Sequence, residues 1–268
     1  MARLGLIAGN GKFPFAFAQK AKTLGYSVVA AGVKGDTSPW LRFYVEQLRF
    51  FDVGALGEMF AYFQAAGVNE VIMAGQVNPN NLFDPRVRLD EKFRAVFEAI
   101  RDRKADTIFC AIADQLAARG MRLLDSTFLL KDNLAAAGVL TLRKPTGGEV
   151  VDARFGREIA KAMGHIDVGQ TVVVKEKAIV AVEAMEGTDQ TILRGGRIAR
   201  RGAVVVKMSK PNQDHRFDVP VVGPRTIKTM ARVNAGCLVV EAGKTIILDQ
   251  DKTIALAARQ HICIIAVH

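Results

Sequence analysis

The stretch Leu4-Gly-Leu-Ile-Ala-Gly-Asn-Gly-Lys-Phe-Pro14 reads as a short apolar strand, a glycine turn and the opening of a helix. Residues 4–8 form the apolar run, Gly9-Asn10-Gly11 the turn, and Pro14 suits a first helical turn because its φ is already fixed there. Working outward, residues 28–33 are a second strand. Residues 55–66 have helical spacing closed by Gly67, and residues 70–74 are a third apolar strand. A β-α-β-α-β order implies a parallel, doubly wound sheet with right-handed crossovers. Two amphipathic helices at 90–103 and 106–119 and a short strand at 122–125 complete this half.

The second half has a different make-up. Thirteen of the 15 Phe lie at or before Phe128, with all three Tyr and the single Trp; later residues build their core from Val, Ile, Ala and Leu. Ala135-Ala-Ala-Gly138 and Lys144-Pro-Thr-Gly-Gly148 have turn composition. The expected organisation is therefore an N-terminal domain at 1–132, a linker at 133–148 and an α/β domain at 149–268. In the latter, a helix at 150–163 precedes strands 170–175 and 178–184, a hairpin around Lys175-Glu-Lys177. A helix at 188–200, a strand at 203–208, a helix at 226–234, strands at 237–241 and 245–248, a helix at 253–259 and a strand at 262–267 follow.

Composition narrows the function classes. Half the 268 residues are hydrophobic and 24% are charged, which excludes global disorder. No apolar stretch approaches about 18 residues, so no spanning helix is expected, and the start lacks a signal peptide's apolar core. Cys110, Cys237 and Cys263 are odd in number, far apart and set in apolar runs, as for buried thiols of a reduced cytoplasm. The net charge of +10 divides as +3 over 1–132 and +7 over 133–268. Such a balance suits nucleic acid, an anionic membrane surface or an anionic substrate. The aromatics, 7% of the chain and mostly in apolar contexts, argue against a stacking groove for single strands.

Four stretches carry candidate chemistry. The turn Gly9-Asn10-Gly11 feeds a helix N-terminus, where amides and the dipole suit a phosphate; it serves equally as an unliganded tight turn. It departs from a dinucleotide loop, since Pro14 replaces the third glycine and no acid ends the second strand. Gln76 and Asn78 follow the third strand, at the carboxyl edge where doubly wound sheets collect ligands; by themselves they read as amides that satisfy loop backbone groups. Glu183, Glu186, Thr188 and Asp189 set three acids at a strand-to-helix junction. Hard oxygens of this kind suit Mg²⁺ or Mn²⁺, although Thr188 or Asp189 also suits a plain helix cap. In 206–220, Lys207, Lys210 and Arg216 suit phosphate, while Asp214 or Asp218 suits a metal or a water; ordinary loop ion pairs are the alternative. The run Arg194, Arg197, Arg200 and Arg201 reads as a solvated face, with attraction to anionic lipid or nucleic acid as the alternative, and His165, His215, His261 and His268 lack metal-ligand spacing.

Together, segments 4–11, 70–77, 125–130, 167–170, 181–189 ("AVEAMEGTD"), 202–223 ("KPNQDHRFDVPVVGP" within it) and 240–249 resemble one family. It is the UDP-2,3-diacylglucosamine diphosphatase of lipid A synthesis, in the form unrelated to calcineurin-like phosphoesterases. The resemblance spans nearly the whole chain. It implies a Rossmann-like N-terminal domain, a separate α/β C-terminal domain and an active site between them. It also implies hydrolysis to UMP and 2,3-diacylglucosamine 1-phosphate with Mg²⁺ or Mn²⁺. Asp218 matches the family's aspartate for metal-dependent catalysis. The expected site is then Asp218, Asp189 and Glu186 for catalysis, with Asp218, Glu183 and Asp189 on the metal. Gly9, Asn10, Gly11, Gln76, Thr188, Lys207, Lys210 and Arg216 would hold substrate. Near 104–106, where relatives carry a Gly-Asp-Asp-like or Ser-Asp-Asp-like turn, this chain has Lys-Ala-Asp, and only Asp106 carries over. Implied partners are a lipid-linked UDP-sugar and, transiently, the cytoplasmic face of the inner membrane, with a homodimer by analogy and no nucleic acid. A different nucleotide-sugar or dinucleotide enzyme, an oxidoreductase included, and a basic nucleic-acid-binding protein without catalysis remain the alternatives.

Overall fold

The computed structural model describes residues 2–78, 87–100, 105–211 and 213–268, apart from the side chains of Val96, Phe97, Ala99, Ala105 and Asp106. By its contacts the chain divides into two compact units, Met1–Leu130 with Asp214–Asp218, and Lys131–Gln213 with Val219–His268.

The first unit is the doubly wound α/β layer expected from its apolar runs. Its strands are β1 (Arg3–Ala8), β2 (Ser27–Val33), β3 (Gln47–Phe51), β4 (Glu70–Ala74) and β5 (Arg122–Leu123), and the helices are α1 (Phe13–Thr23), α2 (Leu56–Ala65), α3 (Glu91–Ala99) and α4 (Ala105–Ala117). The sheet order is β3-β2-β1-β4-β5 and every pairing is parallel. Val29, Ala31 and Val71 pack with Phe60, Phe63, Ile112 and Leu116 of α2 and α4 in one core. Phe17 of α1 is fully buried, as are Leu4 and Leu6 of the central strand. Strand β3 escaped the sequence reading. It is an edge strand, Gln-Leu-Arg-Phe-Phe, whose alternating exposed Gln47 and Arg49 break the apolar run that marks the buried strands.

The second unit contains α5 (Gly147–His165), α6 (Thr188–Ala199), α7 (Pro224–Arg232) and α8 (Gln250–Arg259) around a mixed sheet. Its strands are β6 (Gly138–Val139), β7 (Thr171–Lys175), β8 (Ala178–Val182), β9 (Val204–Lys207), β11 (Cys237–Glu241) and β13 (Cys263–Val267), in the order β6-β13-β11-β9-β7-β8. The pair β10 (Val221–Val222) and β12 (Ile246–Ile247) stands apart. Alternation along each strand divides two cores. Val172, Val174, Val204 and Val206 pack with Ala153 and Ala160 of α5, while Val173, Val205, Leu238 and Ile264 pack with Ile192, Ile227 and Ala257 of α6, α7 and α8. The expected hairpin is present as β7–β8, its turn held by the buried Asp152 carboxylate. That carboxylate accepts from the amides of Glu176 and Lys177 at 2.8 and 2.7 Å, two residues with positive φ.

Two expectations are corrected here. Residues 133–148 are no free linker: β6 pairs antiparallel with β13, and Arg143 forms an ion pair with Glu149, which also closes the capping box of α5 with Thr146. Nor do residues 149–268 all pack together, because Asp214–Asp218 belongs to the first unit. Among the described residues, no helix is long and apolar enough to cross a membrane.

Candidate functional site

In the first unit the sheet order reverses between β1 and β4, so the loops after these strands diverge from neighbouring carboxyl ends. These loops meet directly. The Asn10 amide donates to the Gln76 carbonyl at 2.7 Å, and the Gln76 amide returns a bond to the Asn10 carbonyl at 3.3 Å. A Cβ on Gly9 would lie 2.6 Å from the Gln76 oxygen, which explains the glycine without any ligand. Gly9→Ala is accordingly expected to destabilise the unit by about 1–3 kcal/mol. Urea unfolding checks this, and an unchanged midpoint would contradict the close approach. Beyond the pairing, Asn10, Gly11, Lys12 and the Gln76 side chain are exposed. The first turn of α1 has no acidic residue and no side-chain cap, and Lys12 stands at its N-cap. That end of α1 therefore offers amides, a dipole and an ammonium to an anion.

The Asp214–Asp218 turn is anchored by a residue that sequence reasoning did not single out. The Ser126 hydroxyl donates to the carbonyls of Met73 (2.7 Å) and Arg216 (2.8 Å), and the Ser126 amide donates to the His215 carbonyl. Ser126 is buried, and Phe217 lies against Phe109 with ring centroids 5.3 Å apart. Asp218 closes the turn, its amide bonded to the Asp214 carbonyl at 3.0 Å, and is half-buried. Arg216, expected on phosphate, grips Asp214 through Nε and an Nη nitrogen. This pairing holds the Asp214 carboxyl below its ordinary range against the opposing effect of burial. Of the 104–106 turn, Lys104 and the Asp106 side chain lie outside the described residues, as does Asn212.

In the second unit a buried polar chain lies at the N-terminus of α6. Lys207 Nζ donates to Thr188 Oγ1 at 2.7 Å, and the Thr188 hydroxyl donates to Glu183 Oε1 at 2.7 Å. Lys207 Nζ also stands 3.5 Å from Thr171 Oγ1 and 3.9 Å from Glu183 Oε2. Lys207 is only 7% exposed and Glu183 9%, and Glu183 Oε2 accepts no hydrogen bond. Local backbone creates this arrangement. Gly187 caps α6 at φ 81° and ψ 165°, a region essentially restricted to glycine, and so delivers Thr188 to the first helical position. Gly169 passes so close to the Glu183 carbonyl that a Cβ would lie 2.0 Å from its oxygen.

The remaining predicted residues are placed separately. Glu186 pairs with Arg194 at 2.6 Å. Burial pushes its carboxyl up, but the bonds from Arg194, two backbone amides and Thr191 outweigh this and leave it below the usual range. Asp189 pairs with Arg225 and accepts from the Thr229 hydroxyl at 3.1 Å. Lys210 pairs with Asp167 at 2.7 Å. The three acids of 183–189 are therefore not one carboxylate cluster, because each is turned to its own cation: Lys207, Arg194 or Arg225. Among the described residues no group of three His, Cys, Asp or Glu comes together.

Glu241 is a second residue that sequence reasoning missed. It ends the fully buried β11, and its Oε2 accepts from the Ser209 hydroxyl and, at 3.0 Å, the Ser209 amide, while Lys244 lies 3.0 Å from Oε1. Burial raises this carboxyl, but these donors hold it below the ordinary range. It thereby fixes the start of the segment leading to Lys210. An acid ending an unbroken apolar strand was the available signal.

Comparisons follow the two halves of the chain. The LpxI N-terminal domain model matches residues 3–133 and the LpxI C-terminal domain model residues 136–265. UDP-2,3-diacylglucosamine pyrophosphatase LpxI of Caulobacter vibrioides is 28% identical over 267 aligned positions, which cover 96% of this chain and 94% of that protein. With both domain models matched in order and nearly end to end, the chain belongs to the LpxI family.

Proposed function

We propose that this chain is a hydrolase that cleaves the diphosphate of UDP-2,3-diacylglucosamine to UMP and 2,3-diacylglucosamine 1-phosphate, a step of lipid A synthesis. The observation that carries this reading is the match to a pyrophosphatase of that name along 96% of the chain. The geometry supports it. A diphosphate needs donors and cations to spread its charge, and the exposed end of α1 with Lys12 and the buried Lys207–Thr188 pair at the end of α6 are both of that kind. Gly9, Asn10, Gly11 and Gln76 shape the first of these places.

Hydrolysis adds a water oxygen to one phosphorus and breaks its bond to the bridging oxygen, which leaves with the other phosphoryl group. In this reading Asp218 orients the attacking water and accepts its proton. Glu186 and Asp189 hold the α6 end through Arg194 and Arg225. The reading includes a requirement for Mg²⁺ or Mn²⁺, with Asp218 as a carboxylate that would hold the ion. The substrate is lipid-linked, so the enzyme works at the cytoplasmic face of the inner membrane. A homodimer is compatible with this role.

The test is incubation with UDP-2,3-diacylglucosamine. UMP should appear, stop on addition of EDTA and resume with excess Mg²⁺ or Mn²⁺; isotope-labelled water then identifies the phosphorus attacked. Absence of UMP release under all these conditions would sink the assignment, and release unaffected by EDTA would remove the metal from it.

A further inference from the structure

The segment after β2 presents two large rings to solvent on a rigid base. Pro39–Phe43 forms a short 3-10 turn in which Leu41 is 0% exposed while Trp40 is 70% and Phe43 66% exposed. Trp40 and Phe43 lie against each other, centroids 5.8 Å apart, with the Arg42 guanidinium 5.8 Å from the Phe43 ring. The base is pinned to the carboxyl edge of the sheet. The Thr37 hydroxyl donates to the Ala8 carbonyl and accepts from the Val33 amide, and Asp36 accepts from the Asn78 amide at 3.0 Å. Tyr44 contacts Phe15 of α1 edge-on, and Lys12 lies 5.1 Å from the Phe15 ring centroid. The exposed rings thus sit beside the end of α1 that the proposed substrate reading uses. Among the described residues, neither Arg42 nor Lys12 has a carboxylate partner.

We propose that Trp40 and Phe43, flanked by Arg42 and Lys12, form a membrane-docking tip that inserts into the headgroup region of an anionic bilayer. This inference rests on the lipid-linked substrate proposed above. Two rings offer roughly 300–400 Å², below the ~600–800 Å² that each partner contributes to a stable protein interface. A bilayer interface, by contrast, accepts single aromatic side chains at headgroup level and attracts adjacent Lys and Arg to anionic lipid. The rigid base keeps the rings projecting, and docking there brings the carboxyl edge of the first sheet to the surface where a lipid-linked sugar resides.

Trp40 is the only tryptophan, so its emission reports on docking directly. Wild-type protein, with no substrate present, is titrated with vesicles of phosphatidylcholine alone and with added phosphatidylglycerol. The expected result is a blue shift with anionic vesicles, quenching by brominated lipid, and reversal by salt. In sedimentation with the same vesicles, the Trp40→Ser/Phe43→Ser double variant should partition roughly tenfold less, while hydrolysing detergent-dispersed substrate at the wild-type rate. Should that variant fold poorly, Arg42→Glu serves in its place and should weaken binding to the anionic vesicles alone. No emission change and no quenching at saturating anionic vesicles overturns the proposal. So does undiminished sedimentation of the variants, or a concentration-dependent blue shift without lipid, which would mean that a second copy covers the rings. Vesicle binding is read without turnover: its loss with UMP release intact removes the docking tip, and loss of UMP release with binding intact removes the reaction.

Discussion

Asp218→Asn should lower the rate of UMP release from UDP-2,3-diacylglucosamine by about 10²–10⁴-fold, the range associated with loss of a positioned general base. Asn keeps the size of the side chain and a carbonyl acceptor but removes the charge and the basic oxygen. The turn holding Asp218 has anchors besides that side chain. The Ser126 hydroxyl and amide donate to the Arg216 and His215 carbonyls of the turn, Phe217 packs on Phe109, and the Asp218 amide bonds to the Asp214 carbonyl. The thermal midpoint should therefore stay close to wild type while turnover falls. Steady-state kinetics with a melting curve on the same sample separates the two effects. A rate within threefold of wild type would take Asp218 out of the reaction. Ser126→Ala provides a contrast, since it should reduce stability and turnover together by loosening the turn.

The second large effect concerns the buried chain at α6. Lys207→Met leaves the Glu183 carboxylate, nine-tenths buried, without its cation, and removes the donor that orients Thr188. Breaking one side of a buried ion pair costs about 3–5 kcal/mol, most of it the penalty of stranding the other charge. Glu183→Gln should cost less, because an amide oxygen still accepts from the Thr188 hydroxyl. The double variant should recover much of the Lys207→Met loss, since no buried charge is left unpaired. Urea unfolding of the three proteins gives the coupling energy directly. Additive losses, or a Lys207→Met loss under 1 kcal/mol, would show that the pair is solvated rather than buried in function.

The two cases also show what could be read along the chain. The expected strands at 70–74 and 237–241 have those bounds in the structure, as Glu70–Ala74 and Cys237–Glu241, because a strand covered on both faces is an uninterrupted apolar run. Edge strand β3 and the two-residue strands β6 and β10 were missed because so few of their residues face a core. The glycine turn was legible as a turn, but Gly9 serves a backbone approach to Gln76 that no local pattern encodes. The acidic stretch 183–189 was legible as a run of charge, but the partner of each acid was not. Which cation each acid meets depends on strands and helices distant in sequence.

What the sequence by itself determined is the α/β class, the parallel order of the first half, the β7–β8 hairpin and the stretches that bear charge. Those follow from local periodicity, turn chemistry and composition. Only the tertiary structure decided that Asp189 meets Thr229, 40 residues away, and that Ser126 clasps Arg216 across 90 residues. It also decided that Asp214–Asp218 packs with the first unit, and that Trp40 and Phe43 stand in solvent while Leu41 between them is buried. The reason is physical. Hydrophobic burial rewards any apolar run wherever it lies, whereas a hydrogen bond or ion pair is worth making only at a distance and angle set by how whole elements pack.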